Sequence, residues 1–312
     1  MTYSSFYIFA FLLNFIATFA FIPNGREFHS SVLIDKKLYF SGGNNNSFGR
    51  ITNEFFYLDV SKPFITTDDI SIPWFDLTNT SGPSKLYATT CIGGKNNDLI
   101  FIFGYGDNQS FVNQFDTSKQ QWIDFTPVGN VPADKLFISC ANFNNGLIAI
   151  FSGKKYYPIN INDNDNNIWI FNTLTLTWGL SNATNAPPPR YLYCAITLPD
   201  ENILYIGGIN LINSSKISFT QMNSLSLYNT TSDMWANMST SGQPPPARVY
   251  FSATLTLDGR IIIFGGGLTI LDQNFNETFG DLWILDIAKY HWSIENILNP
   301  ITDLALIGIL RH

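Results

Sequence analysis

The stretch Ile261-Ile-Ile-Phe-Gly-Gly266, followed by Asp281-Leu-Trp-Ile-Leu-Asp286 and then by Trp292, decides how this chain is read, because its parts recur upstream in the same order. An apolar run ending in small residues appears at Leu38-Tyr-Phe-Ser-Gly-Gly43, Leu99-Ile-Phe-Ile-Phe-Gly104, Leu147-Ile-Ala-Ile-Phe-Ser-Gly153 and Ile203-Leu-Tyr-Ile-Gly-Gly208. Trp recurs at 74, 122, 178, 235 and 292, at spacings of 48, 56, 57 and 57 residues. Six residues before the last four of these stands Asp116, Asn172, Asn229 or Asp286, each closing a short apolar run. A basic residue opens every unit: Arg26, Lys85, Lys135, Arg190 and Arg248. The proline turns Pro187-Pro-Pro-Arg190 and Pro244-Pro-Pro-Ala-Arg248 punctuate two of the boundaries.

Each unit therefore reads as four short strands: A after the basic residue, B ending at the glycines, C before the Asp or Asn, and D carrying the Trp. Four-stranded units repeated radially make the blades of a propeller. The glycine doublet followed by an aromatic and then by Trp at fixed spacing resembles the kelch family, from Arg26 to Trp292. Secreted or surface kelch proteins of the attractin and muskelin type, and the propeller of galactose oxidase, are similar in pattern. The match is strongest in units four and five. In units two and three the doublet becomes Gly104-Tyr-Gly106 and Ser152-Gly153, and in unit one Ser61 to Pro73 separates Asp59 from Trp74.

The expected fold is an all-β, kelch-type β-propeller over residues 26–312, with blades at about 26–82, 83–132, 133–187, 188–246 and 247–300. Its repeat positions are Gly42, Gly43, Trp74, Gly104, Trp122, Gly153, Trp178, Gly207, Gly208, Trp235, Gly265, Gly266 and Trp292. Leu304 to Leu310 falls in phase for a further strand A. Two closures stay open: five blades completed by that strand, or a ring of six or seven blades of which this chain carries five.

Composition agrees with strands and turns. Only 13% of residues are charged while 15% are aromatic, a balance poor in helix formers. A net charge of −7 without a basic cluster argues against nucleic acid as a partner. The apolar run Phe6 to Ala20, with Thr18 and Ala20 at −3 and −1, reads as a signal peptide over residues 1–20, with an uncleaved anchor as the alternative. Secretion gives meaning to the N-glycosylation sequons at Asn45, Asn79, Asn108, Asn182, Asn213, Asn229, Asn237 and Asn276. Cys91, Cys140 and Cys194 fall on equivalent strands and read as small buried apolar residues.

No catalytic, metal or cofactor site is expected. His29, His291 and His312 do not suggest one cluster, so the propeller resemblance does not carry a copper oxidase activity with it. No Gly-x-Ser-x-Gly elbow occurs. Asp163, Asp165 and Asn167 alternate like the first ligands of a calcium loop but lack the following Gly and the distant Glu, and read as a solvated loop.

The long connections lie between strands B and C: Asn44 to Asn53, Lys154 to Asn167, Ile209 to Asn223 and Leu268 to Gly280. Loops on a rigid scaffold carry recognition. The B–C and D–A end is thus the expected binding face, with Tyr156, Tyr157, Phe219, Phe275 and Phe279 as aromatic anchors. The competing reading tucks them back onto the blades. All sequons but Asn229 map to the same end. The expected function is a secreted or cell-surface scaffold that binds a protein through these loops. A glycan-binding propeller is the alternative, and a galactose-oxidase-like enzyme is the least favoured reading.

Overall fold

The computed structural model describes residues 21–45, 50–65, 71–106, 110–133, 135–144, 146–155, 165–213, 216–268 and 277–295. Residues 1–20, read from sequence as a signal peptide, and the segment 304–310 lie outside these residues. Among them no helix is long and apolar enough to cross a membrane.

Five antiparallel meanders follow one another along the chain. Blade 1 comprises Ser30–Ile34, Lys37–Ser41, Phe55–Asp59 and Trp74–Asp76. Blade 2 comprises Leu86–Gly93, Leu99–Tyr105, Val112–Asp116 and Gln121–Ile123. Cys140–Phe143, Leu147–Phe151, Ile168–Asn172 and Thr177–Leu180 form blade 3. Cys194–Thr197, Ile203–Ile206, Ser224–Asn229 and Met234–Ser239 form blade 4. Ser252–Leu255, Arg260–Phe264, Leu282–Asp286 and His291–Glu295 form blade 5.

Strand B explains why its sequence is a continuous apolar run instead of an alternating one: it is buried on both faces. In blade 2, Phe101 and Phe103 pack with Ile148, Ile150 and Phe171 of blade 3, while Ile100 and Ile102 pack with Tyr39, Phe55 and Tyr57 of blade 1. Each such side chain contributes about 1.5–3 kcal/mol on burial, so the interfaces between blades are the hydrophobic core. Successive apolar clusters join blades 1–2, 2–3, 3–4 and 4–5.

The recurring Trp belongs to these interfaces. Trp122 lies 5.0 Å from Phe55 of blade 1, Trp178 5.8 Å from Phe103 of blade 2, and Trp235 4.8 Å from Phe151 of blade 3. The connections leaving blades 1 to 4 then lie along the next blade's outer strand. A Cβ on Gly82 would stand 2.7 Å from the Trp122 ring. Val128–Gly129 pairs in parallel with Thr177–Trp178. Asn185 bonds both the amide and the carbonyl of Trp235, and Ser241 accepts from the Trp292 amide.

The recurring Asp or Asn closes the C–D turn. Its Oδ1 accepts from Ser118 and Lys119 amides at Asp116, from Leu174 and Thr175 at Asn172, and from Thr231 and Ser232 at Asn229. Asx turns of this kind hold the backbone locally. Two residues before each of the last four Trp the chain turns left-handed, at Gln120, Leu176, Asp233 and Tyr290, with φ between 47° and 57°.

One expectation is corrected. Cys91 and Cys140 form a disulfide between the innermost strands of blades 2 and 3, with Cα atoms 6.3 Å apart. Both residues lie in the same interface cluster, whereas Cys194 faces blade 5 and remains a free, buried thiol whose pKa burial pushes up to about 12. Radial convergence near the axis brings neighbouring inner strands together, and assigning each Cys to a strand did not reveal which neighbour it faced.

Two outcomes follow for stability. Reducing the bridge, which closes 49 residues, lowers the unfolding free energy by about 4 kcal/mol, measured by urea unfolding with and without reductant. Hydrogen bonds from the Ser118 hydroxyl, and then from the Lys119 amide, hold the Asp116 carboxyl down at about 2. Its contribution is present above the unfolded value near 4 and is lost as pH falls toward about 2. Asp116→Asn should therefore unfold with a shallower acid limb than the parent chain, read by circular dichroism between pH 5 and pH 2.

Candidate binding face

The opening cation of each blade is buried where strand A begins, at the end of the molecule reached by the B–C and D–A connections. Short ribbons form there. Arg26–Glu27 pairs with Asn44–Asn45, Lys135–Leu136 with Lys154–Lys155, and Arg190–Tyr191 with Ile209–Asn213, which returns through Lys216–Phe219. Part of what reads as long irregular loop is thus paired backbone.

Most of these cations are satisfied inside their own blade. Arg26 pairs with Glu54 and donates to the Gly42 carbonyl. Lys85 donates to the carbonyls of Gly104 and Ser110. Lys135 pairs with Asp165, and Arg248 makes a two-pronged pair with Asp281 at 2.7 and 3.0 Å. Burial would raise the carboxyls of Asp165 and Asp281, yet the neighbouring Lys135 and Arg248 hold both below the usual range. Asp165, weighed from sequence as a calcium ligand, is instead the counter-ion of Lys135. Asp163 lies outside the described residues.

The glycine doublet links one blade to the next. The amides of Gly43, Gly153 and Gly208 donate to the carbonyls of Lys85, Arg190 and Arg248, each opening the following blade. A Cβ on Gly42 would meet the Lys85 carbonyl oxygen at 2.4 Å, and Gly42 and Gly43 both have positive φ. Only glycine permits this approach in that conformation.

Two residues past each cation stands Phe28, Tyr87, Phe137, Leu192 or Tyr250, all left-handed, with φ between 52° and 60°. Large residues rarely adopt this region, which costs about 1–2 kcal/mol each. The five surround the mouth of one axial pocket, with His29, Ala88, Ile138, Tyr193, Cys194 and Phe251 behind them. Ring centroids lie 4.3 Å apart for Phe28 and Tyr87, 4.1 Å for Tyr87 and Phe137, and 6.2 Å for Phe28 and Tyr250. The Tyr87 amide donates to the Phe28 carbonyl and the Leu192 amide to that of Phe137. Every blade thus contributes one apolar residue to an aromatic-rich collar.

Sequence reading did not single out this collar. Its signal, a large apolar residue at the second position after each basic one, was absorbed into the first residues of strand A. Of the anchors named from sequence, Tyr156, Tyr157 and Phe275 lie outside the described residues. Phe219 is half-buried on a ribbon, paired with Ile209. Phe279 is half-buried with the Arg248 guanidinium 4.6 Å over its ring.

The sequon asparagines are spread more widely than expected. Asn79 and Asn182 are exposed just past the outer strands of blades 1 and 3. Asn237 is exposed within the outer strand of blade 4, not in a connection, and Asn229 closes the opposite turn. Asn45 and Asn213 sit in the ribbons, and Asn108 and Asn276 lie outside the described residues. His29 is buried in blade 1 and His291 lies on the outer strand of blade 5, bonded to Ser241. Among the described residues no group of three His, Cys, Asp or Glu could hold a metal ion.

Residues 28–266 match the family model described as the KLHDC2/KLHL20/DRC7 Kelch-repeats domain. The chain belongs to the kelch-repeat family. Kelch domain-containing protein 3 of Homo sapiens is 23% identical over 202 residues, covering 60% of this chain and 48% of that protein. Tip elongation aberrant protein 1 of Schizosaccharomyces pombe is 29% identical over 68% of this chain and 18% of its own length. Acyl-CoA-binding domain-containing protein 5 of Arabidopsis thaliana is 26% identical over 92% of this chain and 42% of its own length. The kelch chain described here spans about half the length, or less, of these relatives.

The collar makes a steric prediction. Phe137→Val places a β-branched residue at φ 58° and should destabilise by about 2 kcal/mol more than Phe137→Asn, which tolerates that region, as read by paired urea-unfolding curves.

Proposed function

We propose that this kelch propeller is an extracellular scaffold that docks a protein partner on the axial mouth ringed by Phe28, Tyr87, Phe137, Leu192 and Tyr250. The observation that carries the reading is that collar. Five strained apolar residues, one from each blade, rim a single pocket. Strain of this kind concentrates where a surface is used, and aromatic rings are strong anchors at protein interfaces. Kelch repeats generally serve as interaction scaffolds, and the relatives carry their matching segments inside longer proteins of dissimilar name. The pocket needs no catalytic group for this role.

Three features support the extracellular part. The leader-like run Phe6 to Ala20 precedes the first described residue, sequon asparagines 79, 182 and 237 are exposed, and the bridge between Cys91 and Cys140 suits an oxidising compartment.

Two measurements test the two parts separately. The mass of the protein from a secretory host should fall short of the full chain by the first 20 residues and drop again on enzymatic removal of N-glycans; a full-length, unmodified mass with three free thiols overturns the extracellular reading. A photo-crosslinker at Tyr87 should capture a partner that the same group at Lys119, on the opposite turns, does not. Tyr87→Asn and Tyr250→Asn should each weaken that partner about tenfold or more, the scale of an interface anchor. Equal capture from both ends, or capture of glycan alone, overturns the docking reading.

A further inference from the structure

Blade 4 departs from blades 1, 3 and 5 in the treatment of its opening cation. Arg190 is 4% exposed, yet it faces no carboxylate among the described residues. Its Nε donates to Asn210 Oδ1 at 3.1 Å and its Nη2 to the Ser226 hydroxyl at 3.3 Å, while Nη1 has no partner. In blades 1 and 5 the balancing acid, Glu54 or Asp281, immediately precedes strand C; in blade 4 that place is held by Asn223, which is exposed. A buried guanidinium without compensation is costly, and the burial depresses its pKa to about 10.

A second buried group in the same neighbourhood also lacks a partner. The Tyr205 hydroxyl is unbonded although its residue is 1% exposed, and it lies within the electrostatic reach of Arg190. Tyr205 stands directly opposite Ser226 in the pairing of strands B and C. The Ser226 oxygen accepts from Arg190, which leaves its own proton to donate. Three elements thus bring a guanidinium N–H, a phenolic O–H and a serine O–H into one neighbourhood, with a net positive charge and a surplus of donors.

We propose that blade 4 holds a monovalent inorganic anion, chloride in physiological salt, between Arg190 Nη1 and the Tyr205 hydroxyl. The chemistry calls for an acceptor that also carries negative charge, so a water molecule alone leaves the cation unbalanced. The burial of both side chains, and the ribbon in which Arg190–Tyr191 pairs with Asn210 and Ile209, exclude a macromolecular side chain. The site is independent of the proposed docking mouth and would hold whatever partner that mouth takes.

The test uses the mature, disulfide-bonded chain. Crystals grown in bromide should give an anomalous peak within hydrogen-bond distance of Arg190 Nη1 and Tyr205 Oη. In solution, replacing gluconate by chloride at constant ionic strength should raise the unfolding midpoint of the parent chain. Tyr205→Phe, which preserves shape, should weaken the apparent halide affinity by about tenfold, the worth of one hydrogen bond to a charged group. Arg190→Met should abolish the response, and where that variant does not fold, the Tyr205→Phe comparison and the diffraction experiment still decide. Absence of the bromide peak, a water in its place, or an unfolding midpoint indifferent to chloride overturns the proposal.

Discussion

The hydrogen bond from a doublet glycine of one blade to the carbonyl of the next blade's opening cation is the joint on which the rest of this molecule is built. Its two partners are constrained from both sides. The glycine must adopt positive φ and leave no room for a Cβ, against backbone at Gly43 and Gly208 and against the Ile138 side chain at Gly153, and the cation must be buried where strand A starts. Ion pairs within blades 1, 3 and 5 make that burial tolerable. Two residues beyond the carbonyl at each of the three joints stands a left-handed collar residue, Tyr87, Leu192 or Tyr250.

The collar shows how a structural repeat becomes a functional surface. Strain at one position of one blade would be an isolated cost. Repeated in five blades around an axis, it places five side chains at one mouth. Blades 5 and 1 meet there through Tyr250 and Phe28, while the extended apolar clusters among the described residues join only consecutive blades.

The fold was legible because its determinants are periodic. Trp122, Trp178, Trp235 and Trp292 repeat since each fills the same interface, and Asp116, Asn172 and Asn229 repeat since each closes the same turn. The binding surface was less legible. Phe28, Tyr87, Phe137, Leu192 and Tyr250 repeat as well, but apolar residues at the edge of a strand look like core, and their left-handed backbone leaves no mark in side-chain type. The disulfide was hidden for another reason: strand position is periodic, whereas the neighbour a residue faces depends on strand register, and Cys91 and Cys140 happen to face each other. Arg190 carries the same letter as Arg26 and Arg248; only the absence of an acid before strand C distinguishes it.

The connections that lie along the next blade's tryptophan give the ring a direction. The segments leaving blades 1 to 4 each cover the Trp of the blade after, as Gly82 covers Trp122 and Ser241 holds Trp292. A blade emerging from the ribosome thus meets a clasp already made for its Trp, while the apolar face of the preceding blade is closed only when the new blade packs on it. Growth from the other end would leave every new outer strand without its clasp. The same handed overlap that locks finished blades together makes this propeller a structure suited to being built from its first residue onward.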